Sequence, residues 1–225
     1  MLCEGKNDVW FFQELMDQHP TIDTKILPKY GNFADFQRNV LQDRCFNHIS
    51  GKYGILMFGD TGRTSLYSQI FPEIVADLLG LYLKDINIFI TLDEDGTNYL
   101  ELKIKIKETI HNLSKDKNRF QVLPTYYENN ESFFIQSPRT EGILKVKLLT
   151  VPMNIEAVVV KAFVKGKNLK EKRYDIARPG SNPHEVLKHL ADDFYEGNKE
   201  KLIRTTVPFL KEANWVEDII INFDN

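Results

Sequence analysis

The stretch that most restricts the fold is residues 87–98, NIFITLDEDGTN, where a short apolar run stops abruptly at three acidic residues and a glycine. A run of this length, holding Ile, Phe and Thr and bounded by polar residues, is the pattern of a buried strand. Asp93 and Asp95 lie two apart, so in extended backbone both carboxylates point to one side. Gly96 permits a sharp turn, and Thr97 or Asn98 can cap a helix behind it. Ligands of open α/β sheets bind beyond the carboxyl ends of the strands, so the chemistry of the chain is expected here.

Strand and helix alternate through the first 125 residues or so. Residues 1–3 are the stub of a strand that runs into Glu4-Gly5-Lys6-Asn7-Asp8. From 8 to 18 the apolar residues Val9, Phe12, Leu15 and Met16 share one helical face, with Asn7 or Asp8 as the cap. Residues 25–28 form a second strand. Gly31 then ends a turn and Asn32 caps a helix carrying Phe33, Phe36, Val40 and Leu41. A third strand, 53–58, ends in Gly59-Asp60-Thr61-Gly62, and 65–83 is helical with a break at Pro72.

Residues 99–113 carry two patterns at once. Leu100, Leu102, Ile104 and Ile106 alternate with charged residues as in a strand, whereas Tyr99, Leu102, Ile106, Ile110 and Leu113 fall at helical spacing. The length of the segment and the cap before it favour a helix. Further on, 120–123 and 143–149 read as strands, and 126–136 as a hairpin around Glu128-Asn129-Asn130-Glu131. Helices are expected at 155–163, 183–195 and 199–209, with a last apolar segment at 215–223. The expected fold is therefore α/β: a largely parallel sheet flanked by helices, followed by a helical C-terminal extension. Its core would be residues 1–125 with an inserted strand–helix unit at 53–83. A β-hairpin plus the helical extension would fill 126–225.

With 225 residues, 42% hydrophobic content and a net charge of −3, the composition is that of a globular chain, and it argues neither for nor against a local basic face. No apolar stretch approaches bilayer-spanning length, and the start shows no signal-type apolar region. Cys3 and Cys45 form no metal-type pair, so a reducing, cytoplasmic setting without a membrane partner is expected. The five histidines, at 19, 48, 111, 184 and 189, show no zinc spacing.

Two acidic clusters follow two strands. If those strands are neighbours, Glu4, Asp93 and Asp95 converge at one sheet edge. Carboxylates so close stay ionised only around a cation, and an all-oxygen set with room for water suits Mg²⁺ or Mn²⁺. Glu4-Gly5 after the first strand, Gly31 after the second, and Asp93-Glu94-Asp95-Gly96 after a later one resemble the Toprim fold of primases, topoisomerases, OLD-type nucleases and RNase M5. The resemblance implies that Glu4 serves as general acid or base or assists metal binding, and that Asp93 and Asp95 hold Mg²⁺. The absence of primase-type cysteine ligands points to the small nuclease-type members of prokaryotes. It implies Mg²⁺-dependent phosphodiester chemistry on DNA or RNA, most simply cleavage, with a homo-oligomer left open.

Supporting residues would be Gly5, Gly96, Lys6 near the phosphate, Asp8 as a cap with a secondary role, and Asp60 if its strand adjoins the acidic one. Each has a plainer reading as a turn, cap or solvated residue. Lys165, Lys167, Lys170, Lys172, Arg173 and Arg178, with Tyr174 among them, form a basic segment able to follow a phosphate backbone. A rival resemblance is the haloacid dehalogenase superfamily, whose strand-D-x-D-G-T signature is matched by residues 88–97. There Asp93 would be the nucleophile of a phosphatase and Asp95 the general acid. A third reading is a nucleic-acid- or nucleotide-binding module without turnover.

Overall fold

A computed structural model describes residues 1–18, 24–26, 55–59, 62, 66–80, 85–94, 99–117, 123–129, 132–137, 142–210 and 213–224. The expected helix at 33–41 and residues 120–122 of the expected strand at 120–123 lie outside these residues, and Leu123 is not in a strand. The chain divides into two compact units. The first holds residues 1–5, 21–92 and 97–150; the second holds 6–20, 93–96 and 151–225. The division does not follow chain order.

The first unit is built on a sheet. Strands β1 (Thr24–Ile26) and β2 (Ile55–Met57) pair in parallel. Residues 1–3 insert between the end of β2 and β3 (Ile86–Asp93), and Leu2 bridges in parallel to Phe58 on one side and to Ile90 on the other. The bonding alternates residue by residue, as a parallel strand with neighbours on both edges requires. Leu2 donates its N–H to Phe89 O (2.7 Å) and accepts from Thr91 N–H (2.9 Å). Cys3 N–H donates to Phe58 O at 2.8 Å, and Phe58 N–H to Met1 O at 3.0 Å. Residues 88–92 are consecutively buried, so β3 is covered on both faces and shows no alternation.

On its other side the sheet continues in the order β3, β6 (Ile143–Val151), β5 (Ser132–Gln136), β4 (Thr125–Glu128). These last three strands pair antiparallel. The expectation of a largely parallel sheet is thus corrected: the fold is α/β with a mixed sheet. The reason is local. Only residues 129–131 separate β4 from β5, a link too short for a parallel crossover. Asn129 closes the turn, its Oδ1 accepting from Ser132 N–H at 2.8 Å.

Two helices of this unit show how packing settles what pattern leaves double. Helix α2 (Phe71–Gly80) is preceded by a π-helical turn, Leu66–Ile70. The expected break at Pro72 is corrected: helical turns run on through it, and the wider π turn directly ahead is where the missing N–H and the ring are accommodated. In α3 (Tyr99–Leu113), Leu102, Ile106, Ile110 and Leu113 are buried, while Leu100 and Ile104 remain 58% and 47% exposed. The helical reading of the double pattern is the one that covers the core.

The second unit is helical. It contains α1 (Lys6–Asp17), α4 (Ile155–Gly166), α5 (Pro183–Tyr195), α6 (Lys199–Thr206) and α7 (Asn214–Asp224). Asparagines cap three of them: Asn154 Oδ1 accepts from Ala157 N–H, Asn182 Oδ1 from His184 N–H, and Asn198 Oδ1 from Lys201 N–H. Phe11 of α1 is fully buried and stacks on Trp215 of α7 with ring centres 5.8 Å apart. At Gly166 a Cβ would come within 2.9 Å of the Phe209 ring, so close approach demands glycine there. Among the described residues no helix is long and apolar enough to cross a membrane.

Ile90 is fully buried in the strand that adjoins residues 1–3. Ile90→Ala should lower the free energy of unfolding by about 2–5 kcal/mol, read as a lower urea midpoint. Leu100→Ala should stay within about 0.5 kcal/mol of the parent, because that side chain already meets solvent.

Candidate functional site

The register of the first unit places the end of residues 1–3 against β3. Leu2 pairs with Ile90, and the chain bends at Glu4 and Gly5 just beyond that bridge. Glu4 is half-buried, and its carbonyl accepts from Gly62 N–H at 2.9 Å. Thr91 adds a side-chain bond, its Oγ1 donating to Leu2 O at 3.3 Å. Asp93 is the last residue of β3, half-buried, and Glu94 behind it is exposed, with its N–H on Val151 O at 3.1 Å. Asp93 ends β3, and Glu4 follows the three residues that lie beside that strand. Asp60, Asp95 and Gly96 lie outside the described residues.

Lys6 opens α1 and is exposed, and its Nζ lies 4.8 Å from the ring centre of Trp10 one turn along the same helix. Helix α1 begins two residues before the sequence pattern suggests. Asp8 is therefore not the cap but a buried member of the first turn, where a carboxylate complements the positive end of the helix dipole. Gly5 supplies the half-buried link between Glu4 and the helix.

Among the described residues no group of three or more His, Cys, Asp or Glu side chains is arranged to hold a metal ion. Carboxylate oxygens such as those of Glu4 and Asp93 are the donor chemistry that suits Mg²⁺ or Mn²⁺ rather than a soft metal.

In the basic segment, Lys165, Lys167, Lys170, Lys172, Arg173 and Arg178 are all exposed. The two arginines are engaged within the chain. Arg173 Nε contacts Glu171 Oε2 at 2.8 Å and its Nη1 lies 3.3 Å from Asp193 Oδ2, while Arg178 Nη1 donates to Lys172 O at 2.9 Å. Tyr174 is not an exposed ring for stacking on bases. It is 2% exposed and its hydroxyl donates to Asp193 Oδ2 at 2.6 Å. The sequence shows a tyrosine among basic residues, but whether the ring turns inward depends on α5 lying beneath it.

Burial, then the hydrogen bond and the charge of Asp193, push the Tyr174 hydroxyl up to about 12. A proton held more tightly in the folded state stabilises the fold fully below the ordinary tyrosine value of about 10, and that share is lost as pH rises toward 12. The loss of stability between about pH 10 and 12 should accordingly be shallower in Tyr174→Phe than in the parent, measured by urea midpoints across that range. Below it, the variant should be less stable by about 1 kcal/mol, the net worth of one hydrogen bond.

No family model matches this chain, and no curated protein or solved structure shows significant similarity to it.

Proposed function

We propose that this chain is a Toprim-like protein that performs Mg²⁺-dependent phosphodiester chemistry on nucleic acid, most simply cleavage. One observation carries the reading: residues 1–3 lie in parallel beside β3, with Leu2 paired to Ile90. In this reading a glutamate and an aspartate more than eighty positions apart in sequence would serve one ligand beyond the carboxyl ends of neighbouring strands, the ordinary location of ligands in sheets of this kind.

In this reading Asp93, with Asp95, would hold the ion, and Glu4 would assist it or exchange a proton with the attacking or leaving oxygen. The metal would supply charge to a phosphate oxygen and lower the pKa of bound water. The Glu4 carbonyl accepts from Gly62 N–H, which fixes the backbone from which the carboxylate projects. The exposed lysines at 165, 167, 170 and 172 would add attraction to phosphates without reading sequence.

The test is incubation with supercoiled plasmid and with structured RNA, in Mg²⁺ and in EDTA. Cleavage should require the metal and fall by about 10²-fold or more in both Glu4→Gln and Asp93→Asn. Hydrolysis of p-nitrophenyl phosphate that is lost in Asp93→Asn but kept in Glu4→Gln would replace this reading with the phosphatase one. Binding of nucleic acid with no metal-dependent turnover would leave only a binding module.

A further inference from the structure

The two faces of the antiparallel part of the first unit's sheet differ in kind. Phe133, Ile135, Leu144 and Val146 are buried on one face, in the apolar cluster that includes Leu102, Ile106 and Ile110 of α3. The residues between them point the other way. On that second face the register sets Tyr127 of β4 opposite Phe134 of β5, and Phe134 opposite Lys145 of β6. Lys147 lies two residues along the same side of β6, opposite Ser132.

The Tyr127 and Phe134 rings are stacked, with centres 4.7 Å apart and planes 6° from parallel. The sheet order ends at β4, so the Tyr127 ring lays one face on Phe134 and turns the other outward. Tyr127 is accordingly 53% exposed, whereas Tyr126 beside it turns to α3 and meets His111 Nδ1 at 3.2 Å. Charge is divided between the faces as well. Strands β4, β5 and β6 hold three charged residues, Glu128, Lys145 and Lys147. Glu128 stands opposite Phe133, on the helix side, and is paired with Lys107 of α3. Both lysines lie on the side of the stacked rings.

Flat rings and ammonium groups together, with the carboxylate on the far side, suit a polyanion that carries unpaired bases. A duplex offers phosphates but keeps the faces of its bases covered by their neighbours, so the rings gain nothing from it. We propose that this face of β4, β5 and β6 binds a single nucleic-acid strand, a base lying on the outer side of Tyr127 and the backbone crossing Phe134 toward Lys145 and Lys147. That such a strand is also what the chain cleaves rests on the functional reading above, whereas the binding itself does not.

The test is binding of the full chain, in EDTA, to labelled oligo(dT), oligo(U) and a duplex of equal length, read by fluorescence anisotropy. Either single strand should bind more tightly than the duplex. Tyr127→Ala should weaken that binding by about 5- to 150-fold, as loss of one stacked base does, and Tyr127→Phe should match the parent. Lys145→Gln should reduce the slope of log affinity against log salt by about 0.7. An iodouracil-substituted strand should photocrosslink to Tyr127 or Phe134, as mapped by mass spectrometry. Equal affinity in Tyr127→Ala and the parent, or crosslinks confined to other residues, would overturn the proposal. So would a dimer that Tyr127→Ala dissolves, because the face would then belong to a second copy of the chain. If Tyr127→Ala fails to fold, the crosslink in the parent decides. If Glu4→Gln leaves cleavage intact, the functional reading fails while the crosslink still decides the face.

Discussion

Three residues at the start of the chain hold the sheet of the first unit together. Met1, Leu2 and Cys3 are buried, and their backbone bonds run to Phe58 on one side and to Phe89 and Thr91 on the other. A segment this short has no stability of its own. Its net gain per bond is near 1 kcal/mol, but each of those buried groups left unpaired would cost about 1–3 kcal/mol. The penalty falls on β2 and β3 as well, since both would lose a neighbour along the same edge. The burial of Leu2, Phe58 and Ile90 in one apolar cluster and the pairing of their backbones are therefore two expressions of a single arrangement. Glu4 emerges from it at the bend that follows the bridge between Leu2 and Ile90.

The helical unit is assembled by a different logic. Helix α1 is adjacent in sequence to the first strand yet is clustered with helices from the last third of the chain. Its burial explains the choice: Val9, Phe11, Phe12, Leu15 and Met16 present more apolar surface than one narrow stripe, and α4 is apolar along most of its length. Arg204 of α6 adds a polar clasp, contacting Glu200 at 2.9 Å, Glu14 at 3.4 Å, and the side-chain oxygen of Gln13. Such partly exposed pairs contribute little energy but fix which faces of α1 and α6 meet.

Much of this was legible in the residues because it depends on neighbours a few positions away. The helix at Tyr99–Leu113, the tight turn after Glu128 and the helix Pro183–Tyr195 all follow from spacing and capping. The strand ends at Glu4 and Asp93 were likewise visible as apolar runs that stop at carboxylates. What escaped reading required a partner from elsewhere. Asp8 falls inside its helix because the turn at Glu4–Gly5 lets α1 begin early, and Tyr174 turns inward because Asp193 of α5 receives its hydroxyl. Nothing near Asn7 in sequence foretells its side-chain bond to Glu156, which lies 149 positions away.

The sequence by itself determined most of the described elements, though not every end, since hydrophobic period, caps and glycine or proline geometry act over a single turn or strand. Tertiary structure alone decided which strand lies beside which, that the sheet is mixed, and that α1 joins the C-terminal helices. Those choices depend on burying particular apolar faces together and on pairing every buried backbone group, and both are properties of the assembled chain.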